Sequence, residues 1–176
     1  MPTAQRINEL IHAYAEGPEL LESAVADISP DERRYKPGPE HWSIHENVVH
    51  VAECDLIAAT RIRYVWGEPG KPLVAFDETH WARAMDYSAQ SFEGSLALLR
   101  AVRATTADML RRAPAEVWGQ TGMHTELGPQ SLEWIVQYFI DHVHYHLRTI
   151  AKRRRQYAEG RQAATASNGA GRGDPG

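Results

Sequence analysis

The chain has 176 residues, 43% hydrophobic and 24% charged, which is ordinary for one globular domain with a core of its own. A formal charge of −4 and a pI of about 6.1 argue against a nucleic-acid binder, which would carry a basic stripe and a high pI. Cys54 is the only cysteine, so no intramolecular disulfide can form, and no stretch approaches the roughly 20 apolar residues of a membrane span.

The N-terminal MPTAQRINELIHAY lacks the basic start and apolar run of a signal peptide. The expectation is therefore a soluble, cytoplasmic protein with neither a nucleic-acid nor a membrane partner. The first amphipathic segment runs from about Thr3 to Asp27, with Ile7, Leu10, Ile11 and Tyr14 on one face. Gly17-Pro18 interrupts the stripe before Leu20, Leu21 and Val25 resume it. Proline fits a helix start but not its interior, so a kinked helix or two short ones is expected. Ser29-Pro30 ends the segment.

The second helix has the clearest start. Ser43-Ile44-His45-Glu46 fits a capping box, in which the serine and glutamate each satisfy a free backbone N–H. Ile44, Val48, Val51, Asp55, Ala58 and Ile62 share one stripe, apolar except for Asp55. The helix should stop near Trp66-Gly67, before the loop GEPGKPLVAFDETH.

A third helix is expected over roughly Trp81 to Arg112, with Met85, Phe92, Leu96, Leu99, Met109 and Leu110 as core candidates. The fourth begins after Gly128-Pro129, with Ser131 as N-cap, and runs to about Tyr157. Lys152, Arg153, Arg154 and Arg155 near its end complement the negative pole of the helix dipole. No sustained period-two alternation occurs, so strands are expected only as a short pairing in a loop. Two regions result: a helical bundle over residues 1–157 and a disordered tail over 158–176, whose RQAATASNGAGRGDPG has little to bury. The Arg172-Gly173-Asp174 triplet there carries no adhesion role in a chain of this character.

Nine histidines in the chain need sorting. At about 100° per residue, residues four apart share a helix face and residues two apart do not. In Asp141-His142-Val143-His144-Tyr145-His146, His142 and His146 therefore lie along one edge of the stripe formed by Leu132, Ile135, Val136, Phe139, Val143 and Ile150. His144 points elsewhere. Imidazoles one turn apart suit a divalent transition metal; equally, they can be core-edge histidines bonded to neighbours. His50, flanking the apolar stripe of the second helix, offers a third ligand if the two helices run antiparallel. Val143 follows His142 where a zincin-type peptidase needs glutamate. No Walker-type phosphate loop or nucleophile elbow is present either.

At these residues the chain resembles the DinB-like family of metalloenzymes, named from damage-inducible bacterial proteins. The likeness starts at Leu20-Leu21 and Ile28-Ser29-Pro30, and continues through Pro37-Gly38-Pro39-Glu40-His41-Trp42-Ser43-Ile44, His50 and Glu53. It resumes at Leu127-Gly128 and Ser131-Leu132, and closes with Asp141-His142 and His146-Leu147-Arg148-Thr149-Ile150. Thr149 and His45 depart from the family pattern, away from the ligand positions. The resemblance implies an all-α, four-helix bundle with an up-down-down-up course, often a homodimer. It also implies a divalent metal ion, zinc or nickel first among the candidates, on His50, His142 and His146.

Similar families include bacillithiol S-transferases and mycothiol-dependent maleylpyruvate isomerase. A metal-dependent enzyme is the expectation, carrying out thiol S-transfer or hydrolysis on a small molecule, with a low-molecular-weight thiol as a candidate cosubstrate. The alternative is a non-catalytic metal- or ligand-binding stress-response protein. His124 is a loop residue that could reach the site mouth, Glu53 or Asp55 could orient an imidazole, Trp81 could line a cleft, and Cys54 reads as core filling.

Overall fold

Thr3, Ser43 and Ser91 each hold an extended backbone and accept a hydrogen bond from the N–H three residues on, a geometry that satisfies free donors of a helix start. They open three of the four long helices in the computed structural model, which describes residues 1–170. These are α1 (Ala4–Val25), α3 (Ile44–Gly67) and α5 (Phe92–Leu110); the fourth, α6, spans Leu132–Ala170. Shorter helices α2 (Pro30–Arg34) and α4 (Glu78–Ala84) lie in the connections. The capping box at Ser43 and Glu46 forms as expected, and the Ser131 hydroxyl accepts from the N–H of Trp134 at the start of α6.

Each long helix packs against two others, so α1 lies diagonal to α3 and α5 diagonal to α6. Directions follow from cross-helix bonds. Arg6 meets Gln137 and Arg154 reaches the carbonyl of Ala24, so α1 and α6 run parallel. Asp55 with Arg103 and Arg63 with Thr106 make α3 parallel to α5. His146 with Asn47, and His142 with His50, set α6 antiparallel to α3. The course is up-down-down-up. A three-stranded sheet of β1 (Pro72–Leu73), β2 (Thr121–His124) and β3 (Gly128–Ser131) ties two connections together, with β1 parallel and β3 antiparallel to β2. Gly128 supplies the φ of +74° that the tight β2–β3 turn needs.

Two apolar clusters fill the bundle, one around Leu10, Ile62, Leu110 and Trp118, the other around Leu21, Val48, Leu99 and Ile150. A fully buried polar layer joins the helices where the clusters meet. Arg103 donates to both carboxylate oxygens of Asp55, at 2.8 and 3.0 Å. It also donates to the carbonyls of Tyr14 at 3.0 Å and Phe139 at 2.7 Å. Its guanidinium lies 4.4 Å from the centre of the Tyr14 ring. Burial opposes both charges, and the pair answers it: Asp55 holds Arg103 above its usual pKa and Arg103 pulls against the upward push on Asp55.

This layer explains why α1 does not break. Pro18 lies inside one continuous helix, so the expected alternative of two short helices is not what forms. Proline offers no N–H to the carbonyl four residues back, here that of Tyr14, and Arg103 supplies the missing donor. Gly17 leaves room for it, because a Cβ there would collide with the guanidinium.

Three other expectations are corrected. The third helix divides at Met85–Ser91, where Asp86 takes a φ of 43° and Asp77 and Ser91 cap separate helices; Met85 is exposed instead of core. The basic cluster lies in mid-helix, where Arg153 donates to the Trp42 carbonyl and Arg154 to Glu32 and Ala24. Finally, α6 continues past its expected end near Tyr157 to Ala170. Helix propagation needs only favourable residues once nucleated, and AEGRQAATA offers several alanines. Residues 171–176, with the Arg-Gly-Asp triplet, lie outside the described residues.

Residues 158–165 are all exposed, so this stretch buries little surface. Removing everything after Tyr157 is expected to shift the thermal midpoint by less than about 2 °C. A differential scanning calorimetry trace with a larger drop would reveal a packing role for this segment.

Candidate metal centre

Asn47 and His50 are three residues apart on α3, and His142 and His146 are four apart on α6, so each pair shares a face. The antiparallel packing of α3 and α6 turns these faces together. His50 is 1% exposed and His146 4%, with His142 half-buried between them and the surface. Ring centres lie 5.1 Å apart for His50–His142, 4.8 Å for His50–His146 and 4.6 Å for His142–His146. The Nε2 atoms of His50 and His142 are 3.1 Å apart.

His146 is held in one tautomer. The Asn47 amide donates its Nδ2 to the Ser43 carbonyl at 2.7 Å, which turns its Oδ1 toward His146 Nδ1 at 2.7 Å. That nitrogen must carry the proton, leaving Nε2 with a bare lone pair. Trp42 packs against His50 with ring centres 4.6 Å apart. Burial, with weaker repulsion from neighbouring charges, lowers His50 to about 3, His142 to about 4 and His146 to about 2. All three rings are neutral at physiological pH, the form that ligates metal.

These residues fit a divalent ion. Metal–nitrogen bonds of about 2.0–2.1 Å place neighbouring ligand atoms about 3.0–3.4 Å apart, and the two Nε2 atoms already stand at that spacing. His142 Nδ1 is buried with no hydrogen-bond partner, so it is free to hold the ring's proton while Nε2 ligates.

Glu78, the first residue of α4, brings a carboxylate oxygen to 3.7 Å from His50 Nε2. Cys54 Sγ lies 3.5 and 3.6 Å from the two nitrogens of His50, and burial pushes its thiol pKa up. An open cleft of about 610 Å³ lies over the imidazoles, with Trp42, Glu78, Tyr138, Asp141, Arg148 and Arg153 in its walls.

The other candidate residues fall elsewhere. His144 is exposed on α6. His124 Nδ1 accepts from the N–H groups of Glu126 and Leu127, a turn-holding arrangement in the β2–β3 connection. Asp55 belongs to Arg103 and orients no imidazole, and Glu53 is half-buried outside the histidine cluster. Trp81 packs at a tilt against Phe76, with ring centres 4.5 Å apart, and is not among the cleft residues.

Glu78 and Asn47 escaped the sequence reading. The helical phase of Asn47, one turn before His50, was a usable signal; nothing in the loop pattern signals that α4 folds back over α3.

The fold and the site thus define an all-α bundle with a buried imidazole cluster at the floor of a cleft. The chain belongs to the DinB superfamily, which it matches over residues 13–150. It is 27% identical over 143 residues to OB0782 of Oceanobacillus iheyensis, provisionally named a metal-dependent hydrolase, covering 80% of this chain and 81% of that one. A Geobacillus kaustophilus protein with the same provisional name, GK0616, is 31% identical over 108 residues, 61% of this chain and 60% of its own length. Among solved structures, YfiT of Bacillus subtilis, described provisionally as a metal-dependent hydrolase with an unusual four-helix bundle topology, superposes with a TM-score of 0.83. It is 20% identical, and the match covers 90% of this chain and 91% of YfiT. A mycothiol-dependent maleylpyruvate isomerase shares the fold with a TM-score of 0.66 and 12% identity, over 84% of this chain and 60% of the isomerase. No helix among the described residues is long and apolar enough to cross a membrane.

Proposed function

We propose that the chain is a metal-dependent enzyme acting on a small molecule, with His50, His142 and His146 holding one divalent ion, zinc or nickel first. The observation that carries this reading is the convergence of three neutral imidazoles, two with Nε2 atoms 3.1 Å apart, at the floor of an open cleft. A bound ion supplies Lewis acidity, polarising a substrate and favouring loss of a proton from a water or thiol brought to it. The chain's own residues do the rest. Asn47 fixes the tautomer of His146, Trp42 fixes the plane of His50, and burial keeps all three rings unprotonated.

Hydrolysis is the reaction the sequence relatives' names favour. Thiol transfer is the second reading, supported by a fold neighbour that depends on mycothiol. A homodimer accords with the family resemblance.

Elemental analysis of the purified protein should find about one divalent ion per chain. His50→Ala, His142→Ala and His146→Ala should each abolish it, while His144→Ala leaves it unchanged. Apo and metal-loaded protein are then assayed on simple esters and amides, and on electrophiles with bacillithiol, mycothiol or glutathione. Turnover only in the loaded form, with or without a thiol, separates the two reactions. Equal loss of metal from His144→Ala overturns the ligand set. Turnover by apo protein overturns the metal's role, and a loaded protein inert on every substrate favours a binding function.

A further inference from the structure

The ligand-type atoms that crowd together at the cleft floor come from His50, Cys54, Glu78 and His142, all within 4.8 Å of one another. Two of these four lie outside the histidine triad. Cys54 is 2% exposed, one turn beyond His50 on the same helix, and packs in the apolar cluster around Leu10 and Trp118. A thiol there is core filling with its proton retained, as buried structural cysteines are.

Glu78 differs in every respect. It arrives from across the cleft, on a separate short helix that Asp77 caps by accepting from the His80 N–H. Its side chain is 46% exposed, so the carboxylate is hydrated on one side and faces the imidazoles on the other. Its carboxylate takes part in no hydrogen bond among the described residues; its one close polar contact is the 3.7 Å approach to His50 Nε2. A carboxylate and two imidazole nitrogens thus converge, and three lone-pair donors aimed at one point gain most when a cation lies between them. The spacing is within reach of a common ion, because ligand atoms about 2.0–2.2 Å from a metal lie about 3–4 Å from one another.

We propose that Glu78 is a fourth, displaceable ligand of the ion held by the three histidines. This rests on the histidine reading above and deepens it. The donor set becomes three imidazoles and one carboxylate, and the ligands lower the charge at the site by one unit. Glu78 stands on the solvent side of the cluster, where an incoming substrate must pass. An anionic or strongly donating substrate group therefore exchanges with the carboxylate, while the buried histidines stay in place.

The test uses the full chain loaded with cobalt(II), whose visible spectrum reports coordination and whose affinity is read by chelator competition. Glu78→Gln and Glu78→Ala should weaken cobalt binding by more than roughly 10-fold, the loss already typical of a residue that only supports a ligand, and change the visible band, with the apo melting temperature unaltered. Cys54→Ser should leave both affinity and spectrum as in the wild type, and no thiolate-to-cobalt band should appear in the near ultraviolet. Unchanged affinity and spectrum in both Glu78 variants overturn the proposal alone. A thiolate band lost in Cys54→Ser, with Glu78→Gln unaffected, overturns it in favour of the cysteine. No cobalt binding by the wild-type chain overturns the histidine reading together with this one.

Discussion

Stripped of metal, the protein is expected to lose its fold steeply as the pH drops below about 6, well before its general carboxylate titration would unfold it. Histidine in an unfolded chain titrates near 6.5, whereas burial lowers His50 to about 3, His142 to about 4 and His146 to about 2. Between those limits the unfolded chain binds protons that the folded chain refuses. Stability is therefore fully present above pH 6.5 and is lost as pH falls toward the folded values. Each such proton is worth about 1.4 kcal/mol per pH unit, so three give at most about 4 kcal/mol per unit. That slope exhausts a typical margin of about 5–15 kcal/mol within a few units. Glu78, the acidic group facing the rings, is pushed up by burial and relieves only part of the effect. Urea titrations at stepped pH measure the slope, and His142→Leu should reduce it by about a third. A flat profile from pH 7 to 4.5 would show that the imidazoles are solvated. Acid should then release bound metal through unfolding, not through titration of an intact site.

Arg103→Met is expected to destabilise the bundle by about 3–5 kcal/mol, the cost of leaving a buried charge without its partner. The substitution strands the Asp55 carboxylate and removes the donor from the carbonyls of Tyr14 and Phe139. Asp55→Leu alone should cost a similar amount, since the guanidinium is equally buried. The double variant should recover much of the loss, because paired apolar replacements of buried ion pairs are often neutral. Denaturant unfolding of the four proteins forms a double-mutant cycle. Additive single effects would refute a coupled pair. Phe139 lies one turn before His142, and Asp55 is five residues after His50, so the metal affinity of each variant reports how far the layer also fixes the ligands.

Local chemistry was legible in the sequence wherever it acts over three or four residues. The Ser43–Glu46 box, the Ser131 cap and the phase separating His144 from its neighbours all belong to this class. Long-range compensation was not. Pro18 reads as a helix breaker until Arg103, 89 residues from Tyr14, is seen to occupy the freed carbonyl. Asp55 reads as a misplaced charge for the same reason. The third helix is shorter than its pattern predicts because the Ser91 cap sits inside an otherwise permissive stretch, and the last is longer because composition describes burial better than helix propagation. Glu78 was invisible because the loop that carries it has no periodicity from which to infer a direction.

The notch at Gly17-Pro18 has a consequence for how such a sequence can drift. Arg103 occupies the volume a Cβ at position 17 would need, and position 18 can forgo its N–H because Arg103 bonds the Tyr14 carbonyl. Positions 17, 18, 55 and 103 are therefore one unit of inheritance spread over three helices. Relatives that keep arginine at the third-helix position should keep glycine, proline and aspartate with it. Those that lose it are released at all four, free to carry alanine at 17, an ordinary helix former at 18 and an apolar residue at 55. A set of DinB relatives in which these positions vary independently would contradict the coupling.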